Sequence, residues 1–166
     1  MHIEVQVATL KKDAKLSVCR KYRYSLWRIW DQSKSHVMFI GLNPSTADER
    51  ADDPTLIRCM NYASSWGYGG VYMANLFAIR ATDPKVMLAA DDPIGRDNDR
   101  WLVDLSQKAG LVVAAWGNSG SFMGRSNEAK QLLSNLHCLK MNKSGEPVHP
   151  LYQKTSLQPV LMVTVI

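Results

Sequence analysis

HVMFIGLNPSTAD, residues 36–48, is the stretch of sequence that decides the fold. Its apolar run at 37–40 stops at Gly41 and passes into a polar segment, which predicts a buried parallel strand followed by a functional loop. Ligands of open α/β sheets bind at the carboxyl ends of the strands. Gly41 lets the backbone approach a ligand closely, Pro44 stiffens the loop, and Asn43 is the first side chain with chemistry to offer. We therefore expect a site here.

Strands and helices alternate beyond this stretch. The predicted elements are a helix from Asp53-Pro54 to 67–70, a strand at 71–79, a short helix from Asp83-Pro84 to about 91, a helix from about 95 or 97 to 108, a strand at 111–117, a helix at 126–135 and a strand at 136–141. This alternation predicts an α/β fold with three α/β/α layers around a central, mainly parallel sheet of four to five strands.

The central part of the domain is predicted to cover residues 36–152, with a further segment at each end of the chain. Residues 1–30 are predicted to be rich in β-structure, because IEVQV alternates and KYRYSLWRIW is amphipathic. The tail LQPVLMVTVI is very apolar for a terminus and fits either an edge strand or a buried terminal strand. At 166 residues the chain is the size of one domain, so we expect residues 1–166 to form a single one.

Composition indicates a soluble globular protein. The apolar fraction is 46% and the charged fraction 21%, and no run reaches the roughly 18 apolar residues that a membrane span needs. The N-terminus lacks the apolar core of a secretory signal, so we expect a cytoplasmic protein that does not bind membranes. Cys19, Cys59 and Cys138 form no CxxC pair, so they are predicted to be reduced and structural rather than disulfide or metal ligands.

Basic residues concentrate near the N-terminus. The net charge is +5, and a positive charge of this kind favours an anionic partner, with nucleic acid first. Seven basic residues alternate with aromatic ones: Lys11, Lys12, Lys15, Arg20, Lys21, Arg23 and Arg28, with Tyr22, Tyr24, Trp27 and Trp30. The segment fits a nucleic-acid surface or, equally, a solvated face beside core aromatic residues.

Four loops at the ends of successive strands carry unusual polar content: residues 43–46, Asn75, residues 116–118 and His149-Pro150. The carboxyl ends of parallel strands lie on one side of a sheet, so these groups can converge. Asn75 interrupts an apolar strand, and it either caps a strand end or reads the edge of a nucleobase with its amide. His149 is either a surface turn residue or a site residue.

These motifs resemble those of the uracil-DNA glycosylase superfamily. GLNPS at 41–45, NLFA at 75–78, WGN at 116–118 and HPLY at 149–152 follow the superfamily's order and approximate spacing, over roughly 37–152. The chain is more similar still to a bacterial and phage family that shares GLNPSTAD and HPLY.

The resemblance implies a role for each motif. Asn43 would position water, and His149 would stabilise the departing base. Asn75 would bind the flipped base together with Leu42, Ser45 and Asp48. DNA phosphates would be bound by Thr46, Ser119, Arg125 and Pro150. Neither a cofactor nor a metal is expected. Asp48, Asp52 and Asp53 are open between activating the water and capping or solvating the loop, with capping favoured for Asp53 before Pro54.

Ser45 departs from the uracil-specific pattern, in which a bulky aromatic residue follows the motif proline and excludes a substituent at C5 of the base. A serine there removes that barrier, which is compatible with hydroxymethylated or glucosylated cytosine of phage DNA. The expected function is therefore a monomeric, monofunctional DNA glycosylase that removes a modified pyrimidine, otherwise uracil, in antiviral defence or repair. The alternatives are a non-catalytic nucleic-acid-binding module and a nucleoside or nucleotide hydrolase.

Overall fold

The computed structural model describes residues 10–162, which form one sheet with helices packed against it. The strands are β1 (Lys11–Leu16), β2 (Arg23–Ile29), β3 (Val37–Gly41), β4 (Gly70–Asn75), β5 (Leu111–Ala114), β6 (His137–Cys138) and β7 (Val160–Leu161). The helices are α1 (Pro54–Ser65), α2 (Pro84–Ala89), α3 (Asn98–Lys108) and α4 (Arg125–Leu132), and a 3₁₀ segment covers Asn118–Gly124.

The sheet has a parallel centre and antiparallel edges. Its strand order is β1-β2-β4-β3-β5-β6-β7. Strands β4, β3, β5 and β6 run parallel, whereas β2 pairs antiparallel with β4, β1 with β2, and β7 with β6. The α/β class and the parallel centre are therefore confirmed. The predicted count of four to five strands was too low for residues 10–162, because both strands of the β1–β2 hairpin and the short β7 join the same sheet.

Alternate side chains of β3 enter two separate cores. Phe39 belongs to the cluster that also contains Leu56 of α1, and Ile40 belongs to the cluster that contains Met87 of α2 and Leu102 of α3. All five side chains are almost completely buried. This alternation is why the sequence of β3 is apolar throughout, since a strand covered on both faces needs no polar side.

Two helix starts were predicted correctly from Asp-Pro pairs. Asp53 is the N-cap of α1, where its carboxylate accepts a hydrogen bond of 2.8 Å from the Leu56 N–H. Asp83 caps α2 in the same way by accepting from the Lys85 N–H. In both cases the proline that follows occupies the first turn, where its missing N–H costs nothing. The caps fix where the chain turns after β3 and after β4.

Several predicted boundaries were too long. Strand β4 ends at Asn75 instead of residue 79, because the N–H groups from Phe77 onwards bond to loops, as when Ala78 donates to Ile94 O. Strand β5 ends at Ala114, and α4 ends at Leu132 because Leu133 adopts extended backbone angles. The strand predicted at 136–141 is reduced to two residues, and the 3₁₀ segment was not predicted.

The terminal predictions are only partly covered by the structure. The strand predicted around IEVQV lies outside the described residues, as do the last four residues of the tail. The edge-strand alternative is confirmed for Val160 and Leu161, which form β7 and are exposed. Cys59 and Cys138 are buried and Cys19 is exposed, and all three thiols are free. Between residues 10 and 162, none of the helices is long and apolar enough to cross a membrane.

Candidate functional site

A cavity of about 260 Å³ lies at the carboxyl ends of β3, β4 and β5. This volume is slightly below the range of roughly 300–1,000 Å³ that is typical of ligand pockets, so it suits a single ring system or a group of similar size. The lining combines apolar and polar side chains. Its chief polar side chains are Arg23, Asn43, Ser45, Asp53, Asn75 and His149.

The structure brings together most of the residues that the sequence analysis placed in the site. Asn43, Asn75 and His149 line this cavity, and so do Leu42 and Ser45. Asn43 and Asn75 come from the ends of neighbouring parallel strands, and His149 comes from a loop more than 70 residues further along the chain. The convergence expected of parallel strand ends is therefore observed for these five residues.

Asn75 is the last residue of β4, and its side chain is fixed on two sides. It pairs in parallel register with Gly41 of β3, and a Cβ atom added at Gly41 would lie 2.8 Å from Asn75 Nδ2. Asn75 Oδ1 accepts a hydrogen bond of 3.2 Å from Arg23 Nη2. Because a guanidinium can only donate, the oxygen of the amide must face Arg23. The amide nitrogen therefore points towards Gly41, which must be a glycine to leave it room.

Two buried side chains donate hydrogen bonds to the backbone carbonyls at the end of β4. Asn98 Nδ2 donates to the Asn75 carbonyl at 2.8 Å and to the Leu76 carbonyl at 3.0 Å. Arg125 Nε donates to the same Leu76 carbonyl at 3.0 Å. Strand carbonyls left unpaired in the interior would cost free energy, so these bonds let β4 end inside the protein.

Asn43 projects a fixed acceptor into the cavity. Its Nδ2 atom donates to the carbonyls of Pro44, at 3.1 Å, and Ala81, at 2.8 Å. A carbonyl only accepts, so the NH₂ group must face these two oxygens. Asn43 Oδ1 has no hydrogen-bond partner within residues 10–162 and is free to accept a hydrogen bond from a water or a ligand.

His149 lines the cavity, and its ring is oriented by a hydrogen bond to the backbone. Its Nδ1 atom accepts a hydrogen bond of 3.2 Å from the Leu151 N–H. A neutral ring with Nδ1 used as an acceptor carries its proton on Nε2. Burial lowers the pKa of His149 below 6.5, against a smaller opposing effect of Asp53, so the ring is neutral at pH 7. Its remaining polar group is an Nε2–H donor.

Gly117 and Trp116 place His149 beside β5. The Gly117 N–H donates to Pro147 O at 3.0 Å, which ties the end of β5 to the His149 loop. Trp116 is almost completely buried, and its Nε1 atom donates to Glu146 Oε2 at 2.6 Å. Ser126 donates to the other oxygen of Glu146. The indole in the cavity lining is therefore fixed by a buried hydrogen-bond network.

Arg23 is a cavity residue that the sequence analysis treated only as part of a basic surface. It starts β2, and since β2 is antiparallel to β4, its first residue lies at the edge where the parallel strands end. Its guanidinium is buried and donates to Ala47 O and Asn75 Oδ1, whereas Nε has no partner within residues 10–162. Desolvation by burial lowers the pKa of Arg23 to about 10, so it remains a cation at neutral pH.

The three aspartates near the first loop have separate positions. Asp53 caps α1 and also lines the cavity. Asp48 does not line it, because its carboxylate accepts from the N–H groups of Arg50 and Ala51. Asp52 pairs with Arg28. The structure therefore does not bring Asp48 into the cavity with the other residues predicted to bind the base. Within residues 10–162, no group of three or more His, Cys, Asp or Glu side chains is arranged to hold a metal ion.

The four residues predicted to bind phosphate are not part of the cavity lining. Arg125 is completely buried and bonds to Leu76 O, Asp99 and Glu128, so it supports β4 and is not available to a phosphate. Pro150 is buried and has no N–H to offer. Thr46 and Ser119 are exposed, Thr46 in the first loop and Ser119 in the 3₁₀ segment. The predictions for Arg125 and Pro150 are therefore corrected.

Comparison with known proteins identifies one family model. Residues 23–151 match the model described as "Protein of unknown function (DUF1643)". The matched stretch starts at Arg23 and ends two residues after His149, so it contains every described residue that lines the cavity. No curated protein and no solved structure matches the chain.

His149 should make the protein less stable on mild acidification. Its pKa in the folded state lies below the 6.5 of an unfolded histidine, so the unfolded state binds more protons as the pH falls below about 6.5. Stability should drop from there until the pH passes the folded pKa. His149→Gln should flatten this dependence in urea unfolding between about pH 5 and 7.5. Burial of His36 acts in the same direction, so part of the slope should remain, and an unchanged slope would contradict the prediction.

Arg23→Met should cost far less stability than Arg125→Met. Removing Arg125 leaves the buried Leu76 carbonyl without one of its donors and breaks the ion pairs with Asp99 and Glu128, so it should lower the free energy of unfolding by about 2–3 kcal/mol. Removing Arg23 loses two hydrogen bonds to neutral acceptors but relieves a buried charge, so the net cost should be within about 1 kcal/mol. Denaturant unfolding of both variants measures the difference, and equal costs would show that Arg23 is structural.

Proposed function

The chain belongs to the DUF1643 family, and we propose from the geometry of its cavity that it is a monofunctional DNA glycosylase. In this proposal it hydrolyses the N-glycosidic bond of a flipped, modified pyrimidine and leaves an abasic site. The observation that carries the proposal is that Asn43, Asn75 and His149 line one cavity at the ends of parallel strands. It also rests on the resemblance of their motifs to those of the uracil-DNA glycosylase superfamily, and we extend it to a three-layer fold of that type.

The chemistry requires a placed water, a reader of the base and a donor to the departing base. Asn43 Oδ1 is unpartnered and oriented, so it can accept a hydrogen bond from the attacking water. The amide nitrogen of Asn75 can donate to an acceptor on the edge of the base. The neutral His149 ring can donate through Nε2 to an exocyclic oxygen on which negative charge develops.

The bond changes balance with water as the only co-reactant. The C1′–N bond breaks, and its electron pair leaves with the base. The water oxygen then bonds to C1′ and releases a proton to solvent, and the base anion takes up a proton. Asparagine cannot deprotonate water, so Asn43 orients the nucleophile and departure of the base supplies most of the driving force. Asp53 is the described carboxylate nearest to this role, since it lines the cavity beside His149.

A base has to leave the helical stack to enter a cavity of this size, at a cost of a few kcal/mol that phosphate contacts offset. Three basic residues, Arg80, Lys21 and Arg20, lie close to one part of the lining: Arg80 precedes the lining residue Ala81, and its backbone N–H donates to Lys21 O. Arg80 Nη1 also approaches Arg20 O at 3.4 Å. We assign phosphate contacts to this group and to the exposed Thr46 and Ser119, in place of Arg125.

The cavity lining bears on which base is removed and on whether the DNA strand is cleaved afterwards. Ser45 leaves room for a substituent at C5, in keeping with hydroxymethylated or glucosylated cytosine of phage DNA, or otherwise uracil. No lysine is found among the described residues that line the cavity, which supports base removal without a coupled lyase step. We propose a monomeric cytoplasmic enzyme that acts in defence against phage DNA or in repair.

Asn43→Ala and His149→Ala should abolish turnover and spare DNA binding. Each removes a group that acts on the reacting atoms, so kcat should fall by about 100-fold or more. The dissociation constant for DNA and its salt dependence should change little, since they depend on phosphate contacts. The assay uses duplex oligonucleotides with uracil, 5-hydroxymethylcytosine or its glucosylated form, followed by alkaline cleavage.

Asn127→Ala and His137→Ala are the matched controls, because both residues lie outside the cavity lining. They should cleave as the wild type does. No strand scission by the wild type on any substrate, with an active control enzyme, would leave DNA binding without catalysis as the better account. Faster hydrolysis of mononucleotides than of DNA would favour a nucleoside or nucleotide hydrolase.

Ser45→Phe should narrow the substrate range. A phenyl ring at this position of the lining would occupy the space beside C5 of a bound pyrimidine. Excision of bases with a C5 substituent should fall by about 10-fold or more relative to uracil. Ser45→Ala, which keeps the space, should leave the ratio unchanged. Equal loss on all substrates would mean that Ser45 does not lie beside C5.

A further inference from the structure

Arg23 differs from the other buried arginines described in the structure. Arg28 is paired with Asp52, and Arg125 is paired with Asp99 and Glu128. Arg23 forms no ion pair within residues 10–162 and donates only to the neutral oxygens of Ala47 and Asn75. Among these buried arginines, it is also the one that lines the cavity.

Burying a cation without a counter-ion costs free energy of folding. A buried, unpaired arginine in a cavity lining therefore indicates a functional role. Desolvation by burial is the largest effect on the pKa of Arg23, and it lowers that pKa. Asp53 and Asp48 favour the cation, and Arg80 and Arg28 oppose it. Asp53 does not contact Arg23, and its oxygens accept from the N–H groups of Leu56 and Ala47 instead. The charge is therefore only partly compensated by the protein.

We propose that Arg23 supplies the positive charge that receives the negative charge of the bound heterocycle, so that the cavity binds the anionic form of a base more tightly than its neutral form. This inference rests on the proposed function, in which the electron pair of the broken C1′–N bond leaves with the base. The Arg23 guanidinium is buried, so its attraction for such a charge is screened less than it would be in water.

Arg23 also couples this charge to the residue that reads the base. The Arg23 Nη2 atom donates to Asn75 Oδ1 and so fixes the orientation of the Asn75 amide. The guanidinium therefore lies behind the amide whose nitrogen we assign as a donor to the base. His149 contributes a neutral N–H donor on another side of the cavity. Arg23 and His149 therefore divide the work: Arg23 provides the charge and His149 provides a directed hydrogen bond.

The test measures binding of a free base as a function of pH. 5-Fluorouracil is a suitable probe, because its ring N–H ionises in mildly alkaline solution and ¹⁹F NMR detects its binding directly. Affinity should rise about 10-fold between about pH 7 and pH 9 as the anion forms. The His149 ring is neutral throughout this range, since its pKa lies below 6.5, and Arg23 remains largely charged with a pKa of about 10.

Variants at Arg23 should remove or keep the rise according to charge. Arg23→Gln and Arg23→Met should bind 5-fluorouracil with less than about a twofold change over the same range, and Arg23→Lys should restore part of the rise. Lys108→Gln is the matched control, because it removes a charge of the same sign from an exposed position outside the cavity lining and should behave as the wild type. Circular dichroism of each variant verifies that it is folded.

Two results would overturn the assignment: no rise with pH in the wild type, or an undiminished rise in both neutral variants. The same samples are assayed on DNA, which separates this inference from the proposed function. A wild type that cleaves DNA but shows no Arg23-dependent preference for the anion refutes the inference alone. A wild type with that preference that cleaves no DNA refutes the glycosylase proposal and leaves the anion site in place.

Discussion

The end of strand β4 is the point on which the rest of the site depends. The carbonyl of its last residue, Asn75, and that of the next residue, Leu76, accept hydrogen bonds from Asn98 and Arg125, and the Leu76 N–H donates to Gly41 O of the neighbouring strand. A strand that stops inside a protein leaves polar groups that must be paired. Pairing them here leaves the Asn75 side chain free to face the cavity, so a structural requirement of the sheet places the amide that we assign to base recognition.

The parts of the fold that could be predicted are those whose signals are local. The apolar run of β3 and the Asp-Pro pairs at Asp53 and Asp83 gave the correct positions of a strand and two helix starts, because each signal depends on neighbours in the sequence. The convergence of Asn43, Asn75 and His149 could also be predicted, since parallel strands place their carboxyl ends on one side. The length of β6 could not be predicted, because a strand of two residues carries no periodicity that separates it from the apolar residues around it.

The buried arginines were not predictable because their environments are assembled from distant segments. Arg125 was assigned to phosphate, yet its partners are Asp99, Glu128 and the Leu76 carbonyl just after β4. Arg23 looked like part of a basic surface, and only the antiparallel pairing of β2 with β4 turns its start towards the cavity. A basic residue next to aromatic residues gives the same sequence pattern whether its side chain is solvated or buried. For Arg23, the antiparallel direction of β2 relative to β4 decides that the side chain is buried at the cavity. The hydrophobic pattern of the sequence does not predict the direction in which a strand pairs with its neighbour.

The antiparallel pairing of β2 has a consequence for what counts as the minimal unit of this fold. The four recognisable motifs begin at Gly41 and would suggest that a self-sufficient module starts at β3. Strand β2 nevertheless covers the edge of β4 through residues 26–29 and delivers Arg23 to the cavity. A module cut at β3 would expose an unpaired strand edge of the kind that promotes aggregation, and it would lose a wall of its own binding site. The family match begins at Arg23, at the first residue of β2, so the inherited unit includes this strand together with the motifs that follow it.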